Sequence, residues 1–151
     1  MRILDVTPQD EDSLLKVAIA AIEAQVMPAL HEEGRSTMRS AQAREANRVV
    51  DKACYSAAKV VVDDQIIGYV AWTSEGKVAH LYVEPTFQSV GVGGVLLRHA
   101  IAEMPDQQIH LRASINSVGF YEKLGFAPLD GELGDAGIRY VPMGLNVNIA
   151  P

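Results

Sequence analysis

Apolar residues recur at helical spacing in the first third of the chain. The segment TPQDEDSLLKVAIAAIEAQVM repeats them every three to four positions, which predicts an amphipathic helix that ends at Pro28. Thr7 is placed to cap this helix, and Pro8 suits its first turn. A second, more polar helix is predicted over residues 37–51, where residues with high helix propensity prevail and the apolar stripe is thin.

The middle of the chain changes to β-branched and aromatic runs separated by turn residues. KVVVDDQIIGYVAW and VAHLYV predict three antiparallel strands. The turns between these strands are expected at Asp63-Asp64 and at Glu75-Gly76, because aspartate and glycine tolerate the backbone conformations that tight turns need.

Two further strands and two further helices follow. Leu97, Ile101 and Met104 recur at helical spacing, which predicts a helix over 93–104. QQIHLRA alternates as a strand, NSVGFYEKLGF predicts a short helix that stops at Gly125, and GIRYVPMGLNV predicts the last strand. The element order therefore predicts an α/β (α+β) fold with a mixed, mostly antiparallel central sheet flanked by helices.

Composition and charge limit the classes of protein to which this chain can belong. A length of 151 residues with no linker predicts a single domain over 1–151. The formal net charge of -6 disfavours nucleic acid as a partner. The first residues lack the apolar core of a signal peptide and no run is long enough to span a bilayer, so we expect a cytoplasmic protein without a membrane partner. The lone cysteine, Cys54, is expected to be a structural thiol.

The segment FQSVGVGGVLL holds three glycines between a predicted strand and a predicted helix. Free backbone N–H groups at the start of a helix bind phosphate well, although a tight turn that only packs the helix on the sheet is the alternative. The dinucleotide-binding fingerprint needs a glycine where Leu96 stands, and the ATP-type loop needs a lysine that this segment lacks. Neither motif fits.

Gln88, Gly91 and Gly93 form the pattern Gln/Arg-x-x-Gly-x-Gly/Ala directly after HLYVEP. With TPQDED near the start and INSVGFYEKLGF later, the sequence resembles the GNAT superfamily of N-acetyltransferases over most of its length, and residues 28–57 are the least similar part. The resemblance implies a sheet that splays into a V-shaped cofactor cleft, acetyl-CoA as the co-substrate and no metal.

The resemblance also implies which residues bind the cofactor. Loop amides would hold the diphosphate of CoA, and in this sequence the loop consists of Gln88, Ser89, Val90, Gly91, Val92, Gly93 and Gly94. The backbone of Leu81, Tyr82 and Val83 would pair with the pantetheine arm, while the side chains of Leu81 and Val83 are expected in the core. A backbone amide on this strand would also polarise the acetyl carbonyl.

Each of three polar residues outside the loop has two explanations, a contact with the cofactor or a purely structural role. Asn116 matches an asparagine that bonds the pantetheine arm in many relatives, but it also suits a helix cap. Arg98 and Lys123 are the nearest cations for the remaining phosphate, although an ordinary exposed helix charge is the favoured explanation of each. Because the loop itself contains no cation, phosphate binding is expected to depend on amides and the helix dipole.

Acetyl transfer to an amine requires an acid for the departing thiolate and an acceptor for the amine proton. Tyr121 matches the tyrosine that serves as this acid, with packing as the alternative. His80 shares a strand face with Tyr82 and is the candidate proton acceptor; a packed histidine combined with a water relay is the alternative. Several relatives carry an acidic residue on this strand, where this chain has VAH.

The sequence therefore favours an acetyl-CoA-dependent N-acetyltransferase that acts by direct attack of a primary amine in a ternary complex. A small-molecule acceptor is slightly favoured because no recruitment segment is present. The alternatives are a protein lysine or N-terminal acetyltransferase, and a non-catalytic acyl-CoA-binding regulatory module. A homodimer is a further expectation.

Overall fold

The computed structural model describes residues 1–105 and 108–146, and the side chains of Ala43, Ser89 and Asn146 lie outside that description. The elements follow the predicted alternation of helices and strands. In chain order they are β1 (Arg2–Asp5), α1 (Glu11–Gln25), α2 (Glu32–Val49), β2 (Ser56–Val62), β3 (Gln65–Trp72), β4 (Val78–Val83), α3 (Val92–Ala102), β5 (Gln108–Ser114), α4 (Val118–Lys123), β6 (Ala127–Pro128), β7 (Leu133–Asp135) and β8 (Ile138–Asn146).

The strands form two antiparallel groups. The first has the order β1-β2-β3-β4, and the second has the order β5-β8-β6 with β7 paired to β8. Between the groups the described residues hold one isolated parallel bridge, Lys77 with His110, at the start of β4 and β5. Beyond this bridge the two strands separate, which confirms the predicted mostly antiparallel sheet with a V-shaped cleft.

Helix α1 is preceded by the predicted cap. The Thr7 backbone N–H donates to Asp10 Oδ2 at 2.8 Å, but this cap opens a short 3-10 turn, Pro8–Asp10, ahead of α1. Helix α1 ends at Gln25, so Pro28 lies in a following 3-10 turn rather than at the helix end. This local hydrogen bond satisfies the Thr7 amide before α1 begins, so the chain enters the helix with its apolar stripe toward the sheet.

Helices α2 and α3 each begin earlier than their apolar patterns predict. Helix α2 runs from Glu32 rather than from residue 37, because Glu32 and Glu33 favour the positive end of the helix dipole. Helix α3 begins at Val92 and ends at Ala102, short of the predicted end. Apolar spacing identifies the core face of a helix but not the polar residues at its ends.

The turn predicted at Asp63-Asp64 is confirmed by two positive backbone angles. Asp63 has φ 49° and Asp64 has φ 61°, the left-handed pair that joins β2 to β3 in a tight hairpin. The second predicted turn, at Glu75-Gly76, joins β3 to β4, and Gly76 has φ 92°. These turns fix the registers that place β4 at the outer edge of its group.

The core lies on both faces of the first group of strands. Helix α3 packs on one face through fully buried side chains that include Leu96 and Leu97. Helices α1 and α2 cover the other face, with Leu14 and Val49 buried against Tyr69 of β3. Among the described residues, no helix is both long and apolar enough to cross a membrane.

Candidate active site

The cleft between β4 and β5 has a volume of about 540 Å³. The start of α3, the end of α1 and helix α4 lie together at what we call the loop end. Helix α2 and the β7–β8 hairpin lie together at what we call the far end. Strand β4 has no neighbour on its cleft side among the described strands beyond the bridge at Lys77. Its outward N–H and C=O groups are therefore open to a ligand that pairs as an extra strand.

The glycine loop forms a 3-10 turn, Pro85–Val90, followed by Gly91 and α3. Gly91 has φ 87°, a left-handed conformation that only glycine adopts without strain. The first intrahelical bond joins the Val95 N–H to the Gly91 carbonyl at 3.1 Å. The amides of Val92, Gly93 and Gly94 precede this bond, so helix geometry leaves them free at the positive end of the dipole.

The loop side chains support this backbone arrangement. The Gln88 Nε2 donates to the Val83 carbonyl at 2.9 Å, and its Oε1 accepts from the Gln25 side chain, so Gln88 ties the loop to β4 and α1. A Cβ at Gly93 would lie 3.2 Å from the Phe120 ring, and one at Gly94 would lie 3.3 Å from the Arg98 guanidinium. Val90 is exposed, and the predicted contact of the Ser89 side chain lies outside the described atoms.

Strand β4 carries a bulge. Ala71 pairs with His80 and Trp72 pairs with Val78, so Ala79 is the extra residue. After the bulge, Leu81, Tyr82 and Val83 all line the cleft. The side chains of Leu81 and Val83 pack with the core beneath α3, as predicted. Tyr82 points to the opposite face, where burial raises its pKa to about 12.

Tyr121 lies in the cleft wall on α4 and is 8% exposed. Gly125 ends this helix with φ 96°, and the Phe126 N–H donates back to the Tyr121 carbonyl at 3.1 Å, which turns the chain and packs Phe126 on the Tyr121 ring. The predicted stop at Gly125 is thereby confirmed. Burial raises the pKa of the Tyr121 hydroxyl well above its ordinary value, so this group keeps its proton at neutral pH.

Asn116 lines the cleft, but its side chain does not cap α4. Its Nδ2 donates to the carbonyl of Gln25 at 3.0 Å and so joins the start of α4 to the end of α1 across the cleft. The residue before α4 is Ser117, whose hydroxyl pairs with Ser114 at 2.7 Å instead of with a helix amide. Lys123 is exposed at the end of α4 and is not among the residues that line the cleft.

His80 is 7% exposed and lies behind the cleft wall rather than in it. Its ring stacks on Tyr69 at 6.3 Å and lies 5.8 Å from the Tyr82 ring, which confirms that His80 and Tyr82 share a strand face. The His80 Nε2 lies 3.5 Å from Glu45 Oε2. Its Nδ1 has no hydrogen-bond partner, the one such buried side-chain atom in the described part of the chain.

Sequence reasoning missed Glu45, which brings a carboxylate from α2 into the cleft. Its Oε2 lies 3.4 Å from the Tyr55 hydroxyl, and its Oε1 lies 3.4 Å from Arg48 Nη1. The hydrogen bond from His80 lowers the pKa of the Glu45 carboxyl, so this group is ionised at neutral pH. No motif marks Glu45, because only the tertiary placement of α2 brings its carboxylate to His80 of β4.

The β7–β8 hairpin closes the far end of the cleft against α2. The Thr37 hydroxyl donates to the Ala136 carbonyl at 2.8 Å, and Arg139 Nη1 donates to the Ala29 carbonyl at 2.8 Å. Asp135 and Tyr140 from the same hairpin line the cleft. Over residues 1–105 and 108–146, no group of three or more His, Cys, Asp or Glu side chains is arranged to hold a metal ion.

Comparison with protein families identifies the class. The sequence profile described as "Acetyltransferase (GNAT) domain" matches residues 26–147, which is most of the chain and includes β4, the glycine loop and Tyr121. The chain therefore belongs to the GNAT family of acetyltransferases, and the resemblance seen in the sequence is confirmed. A search of curated proteins by sequence gives no significant match.

Solved structures share the fold at low sequence identity. A GCN5-related N-acetyltransferase from Rhodopseudomonas palustris aligns with a TM-score of 0.82 at 18% identity, over 96% of this chain and 94% of that chain. The PaiA N-acetyltransferase from Thermoplasma acidophilum, in complex with coenzyme A, aligns with a TM-score of 0.77 at 21% identity, over 97% of this chain and 99% of that chain. The aminoglycoside 6'-N-acetyltransferase from Enterococcus faecium aligns with a TM-score of 0.71 at 16% identity, over 100% of this chain and 99% of that chain.

Proposed function

We propose that this protein is an acetyl-CoA-dependent N-acetyltransferase that transfers the acetyl group to a primary amine by direct attack in a ternary complex. The observation that carries the proposal is one continuous cleft that holds the free amide of Gly93, the open edge of β4 and the Tyr121 side chain. The structures of similar fold that contain coenzyme A support this assignment.

The cofactor would be held chiefly by backbone groups. The loop from Gln88 to Gly94 offers its amides to the diphosphate, and the β4 segment Leu81–Val83 offers its open edge to the pantetheine arm. Asn116 would contact this arm from the opposite wall, and Gln88 acts indirectly by fixing the loop to Val83. Arg98, whose guanidinium lies over Gly94, is better placed than the exposed Lys123 to meet a further phosphate.

The chemistry needs one acid, one oxyanion donor and one proton acceptor. The amine nitrogen attacks the thioester carbonyl carbon, and a β4 backbone N–H stabilises the charge on the carbonyl oxygen. The C–S bond then breaks, and the Tyr121 hydroxyl gives its proton to the departing sulfur. The Tyr121 hydroxyl is protonated at neutral pH, as the acid role requires, and it lies in the wall of the cleft.

The far end of the cleft favours a small amine as the acceptor. The hairpin contacts α2 at this end, and the side chains that line the cleft carry charges of both signs, with Glu45 and Asp135 negative and Arg112 positive. The fold neighbours that act on aminoglycosides agree with a small-molecule acceptor. A protein lysine or amino terminus is the alternative acceptor. A single domain over 1–151, a homodimer and a cytoplasmic location stay predictions.

An amine panel with detection of free CoA thiol tests the proposal. Wild type should release CoA with at least one primary amine, and Tyr121→Phe should lower kcat about 100-fold without weakening acetyl-CoA binding. Tyr69→Phe is the matched control, because Tyr69 is buried on β3 and does not line the cleft. A thermal shift with acetyl-CoA but no CoA release would support a non-catalytic module instead, and no shift with any CoA compound would refute both.

A further inference from the structure

The carboxylate of Glu45 faces the cleft in front of a buried histidine. The Glu45 side chain is 26% exposed, whereas that of His80 is 7% exposed, and 3.5 Å separates Glu45 Oε2 from His80 Nε2. The carboxylate thus has one side open to a substrate and one side against the protein interior. An ionised group in this position attracts a cationic partner from the cleft.

Packing alone does not account for a histidine at position 80. Its Nδ1 is buried without a hydrogen-bond partner, which an apolar side chain of similar size would avoid. The aromatic rings of Tyr55 and Tyr69 hold His80 from two sides, at centroid distances of 5.6 and 6.3 Å. The ring is therefore fixed with Nε2 toward Glu45, the arrangement expected of a group that orients a carboxylate.

The other contacts of Glu45 leave room for a ligand. Arg48 Nη1 and the Tyr55 hydroxyl each lie 3.4 Å from the carboxylate, longer than a strong charge-assisted hydrogen bond. Tyr82, which also lines the cleft, lies 5.8 Å from the His80 ring and adds an aromatic side chain beside the carboxylate. A carboxylate next to an aromatic ring is a favourable environment for an alkylammonium.

Building on the function proposed above, we propose that Glu45 binds the ammonium group of the acceptor and then accepts its proton, with His80 as the positioning residue that orients Glu45. This changes the role predicted for His80 from proton acceptor to support. Glu45 supplies, from α2, the carboxylate that the sequence of β4 lacks.

The proton steps balance as follows. The bound ammonium loses one proton to Glu45, and the nitrogen of the resulting amine attacks the thioester carbonyl carbon. As the N–C bond forms and the C–S bond breaks, the nitrogen loses its second proton to water, and sulfur takes the Tyr121 proton. Glu45 then releases its proton to water and Tyr121 regains one, so the products are the amide, the CoA thiol and one proton.

A pair of amines separates this role from a structural one. The best primary alkylamine of the panel is compared with an analogue of similar shape that carries three fluorine atoms on the β-carbon. These fluorines make the amine so weakly basic that it is largely neutral at about pH 7, whereas the alkylamine is an ammonium ion. Glu45→Gln should lower kcat/KM about 100-fold for the alkylamine and by less than about tenfold for the analogue. Glu75→Gln, at an exposed turn residue, removes the same charge and should change neither value.

Two His80 variants test the positioning role with the same amine pair. His80→Leu keeps the packing but removes the donor, so it should lower kcat/KM for the alkylamine about tenfold and leave the analogue nearly unchanged. His80→Gln restores a donor and should recover most of this loss. The acetyl-CoA thermal shift of each variant reports whether the fold and the cofactor site are intact, and Glu45→Ala replaces any Glu45→Gln protein that fails to fold.

The outcomes separate this inference from the function on which it rests. Suppose that wild type acetylates both amines. If Glu45→Gln then lowers the two kcat/KM values by the same factor, or leaves both unchanged, Glu45 does not bind and deprotonate the acceptor. If His80→Leu and His80→Gln lose activity equally, the positioning role of His80 is refuted. If wild type acetylates no amine, the proposed function itself fails, whatever the variants show.

Discussion

Gly34, in the first turn of α2, lies directly against Gly137 in the turn between β7 and β8. A Cβ added at Gly137 would lie 2.6 Å from the Gly34 backbone nitrogen, closer than any real Cβ contact allows. Gly137 also has φ 84°, so both its conformation and its neighbour require glycine. This backbone contact is what brings the hairpin over the far end of the cleft.

The first prediction concerns this contact. Gly34→Ala should lower the free energy of unfolding by about 1–3 kcal/mol, because the added methyl collides with the Gly137 carbonyl. Helix propensity alone would make the same change stabilising by about 1 kcal/mol. Gly119→Ala is the control, since nothing lies within 4 Å of a Cβ there. Urea unfolding measures the stability of Gly34→Ala and of Gly119→Ala. If both variants were as stable as wild type, the close contact between Gly34 and Gly137 would be contradicted.

The glycine loop gives a second prediction. Gly91→Ala forces a side chain into a left-handed conformation at φ 87°, and a loop that relaxes this strain moves its amides. The dissociation constant for acetyl-CoA should rise about tenfold, which corresponds to about 1.4 kcal/mol. Gly131→Ala, in an exposed loop with open space around its Cβ, should leave the constant unchanged. Calorimetric titration checks this, and an unchanged constant for Gly91→Ala would exclude the loop as the phosphate site.

A third prediction follows from the pairing of Asp10 with Lys59. Their atoms lie 2.7 Å apart and both side chains are 13% exposed. Burial opposes ionisation of Asp10, but the hydrogen bonds from Lys59 and Thr7 outweigh it and lower the pKa of the carboxyl. Asp10→Asn should therefore lower the free energy of unfolding by about 1–3 kcal/mol at neutral pH.

The pH dependence of this pair has a definite sign. A carboxyl whose folded-state pKa is lowered contributes stability above its unfolded pKa of about 3.9, and this stability is lost as pH falls through the folded value. The difference in stability between wild type and Asp10→Asn should therefore shrink in acid. Asp12→Asn, at an exposed position in the first turn of α1, removes the same charge without an ion pair and serves as the control for the change in net charge. A constant difference down to low pH would contradict the ion pair.

The buried hydroxyl of Tyr121 gives a fourth prediction. Because burial raises its pKa well above the ordinary value of 10.0, the acid keeps its proton throughout the accessible range. The kcat of wild type should therefore not fall between about pH 7 and about pH 9.5 through loss of this proton. A descending limb in this range that disappears in Tyr121→Phe would show that the hydroxyl is not held in its neutral form.

Local signals in the sequence predicted the parts of the site that lie close together along the chain. QSVGVGG predicts the loop and its helix, because a glycine with positive φ and free amides are properties of adjacent residues. Gly125 and Phe126 likewise predict the end of α4, and Asp63-Asp64 predicts a hairpin. In each case the deciding interactions span only a few residues.

The far end of the cleft could not be predicted in this way. Glu45 reaches His80 only through the tertiary placement of α2, and α2 has a thin apolar stripe that does not define which of its residues face the strand. The strand Leu133–Asp135 lies within the acidic segment DGELGD, which reads as solvated surface, and its turn uses Ala136 at φ 51°. Asn116 bonds the distant Gln25 carbonyl rather than its own helix. These contacts depend on tertiary structure.

The most direct test of acetyl transfer uses acetyl-CoA with an isotope-labelled acetyl group. Mass spectrometry follows the label, and thiol detection follows CoA in the same reaction. With an acceptor from the amine panel, wild type should form the labelled amide and free CoA in equal amounts, and Tyr121→Phe should form both about 100-fold more slowly. A wild-type protein that binds acetyl-CoA but forms neither product with any amine would contradict catalysis by this cleft.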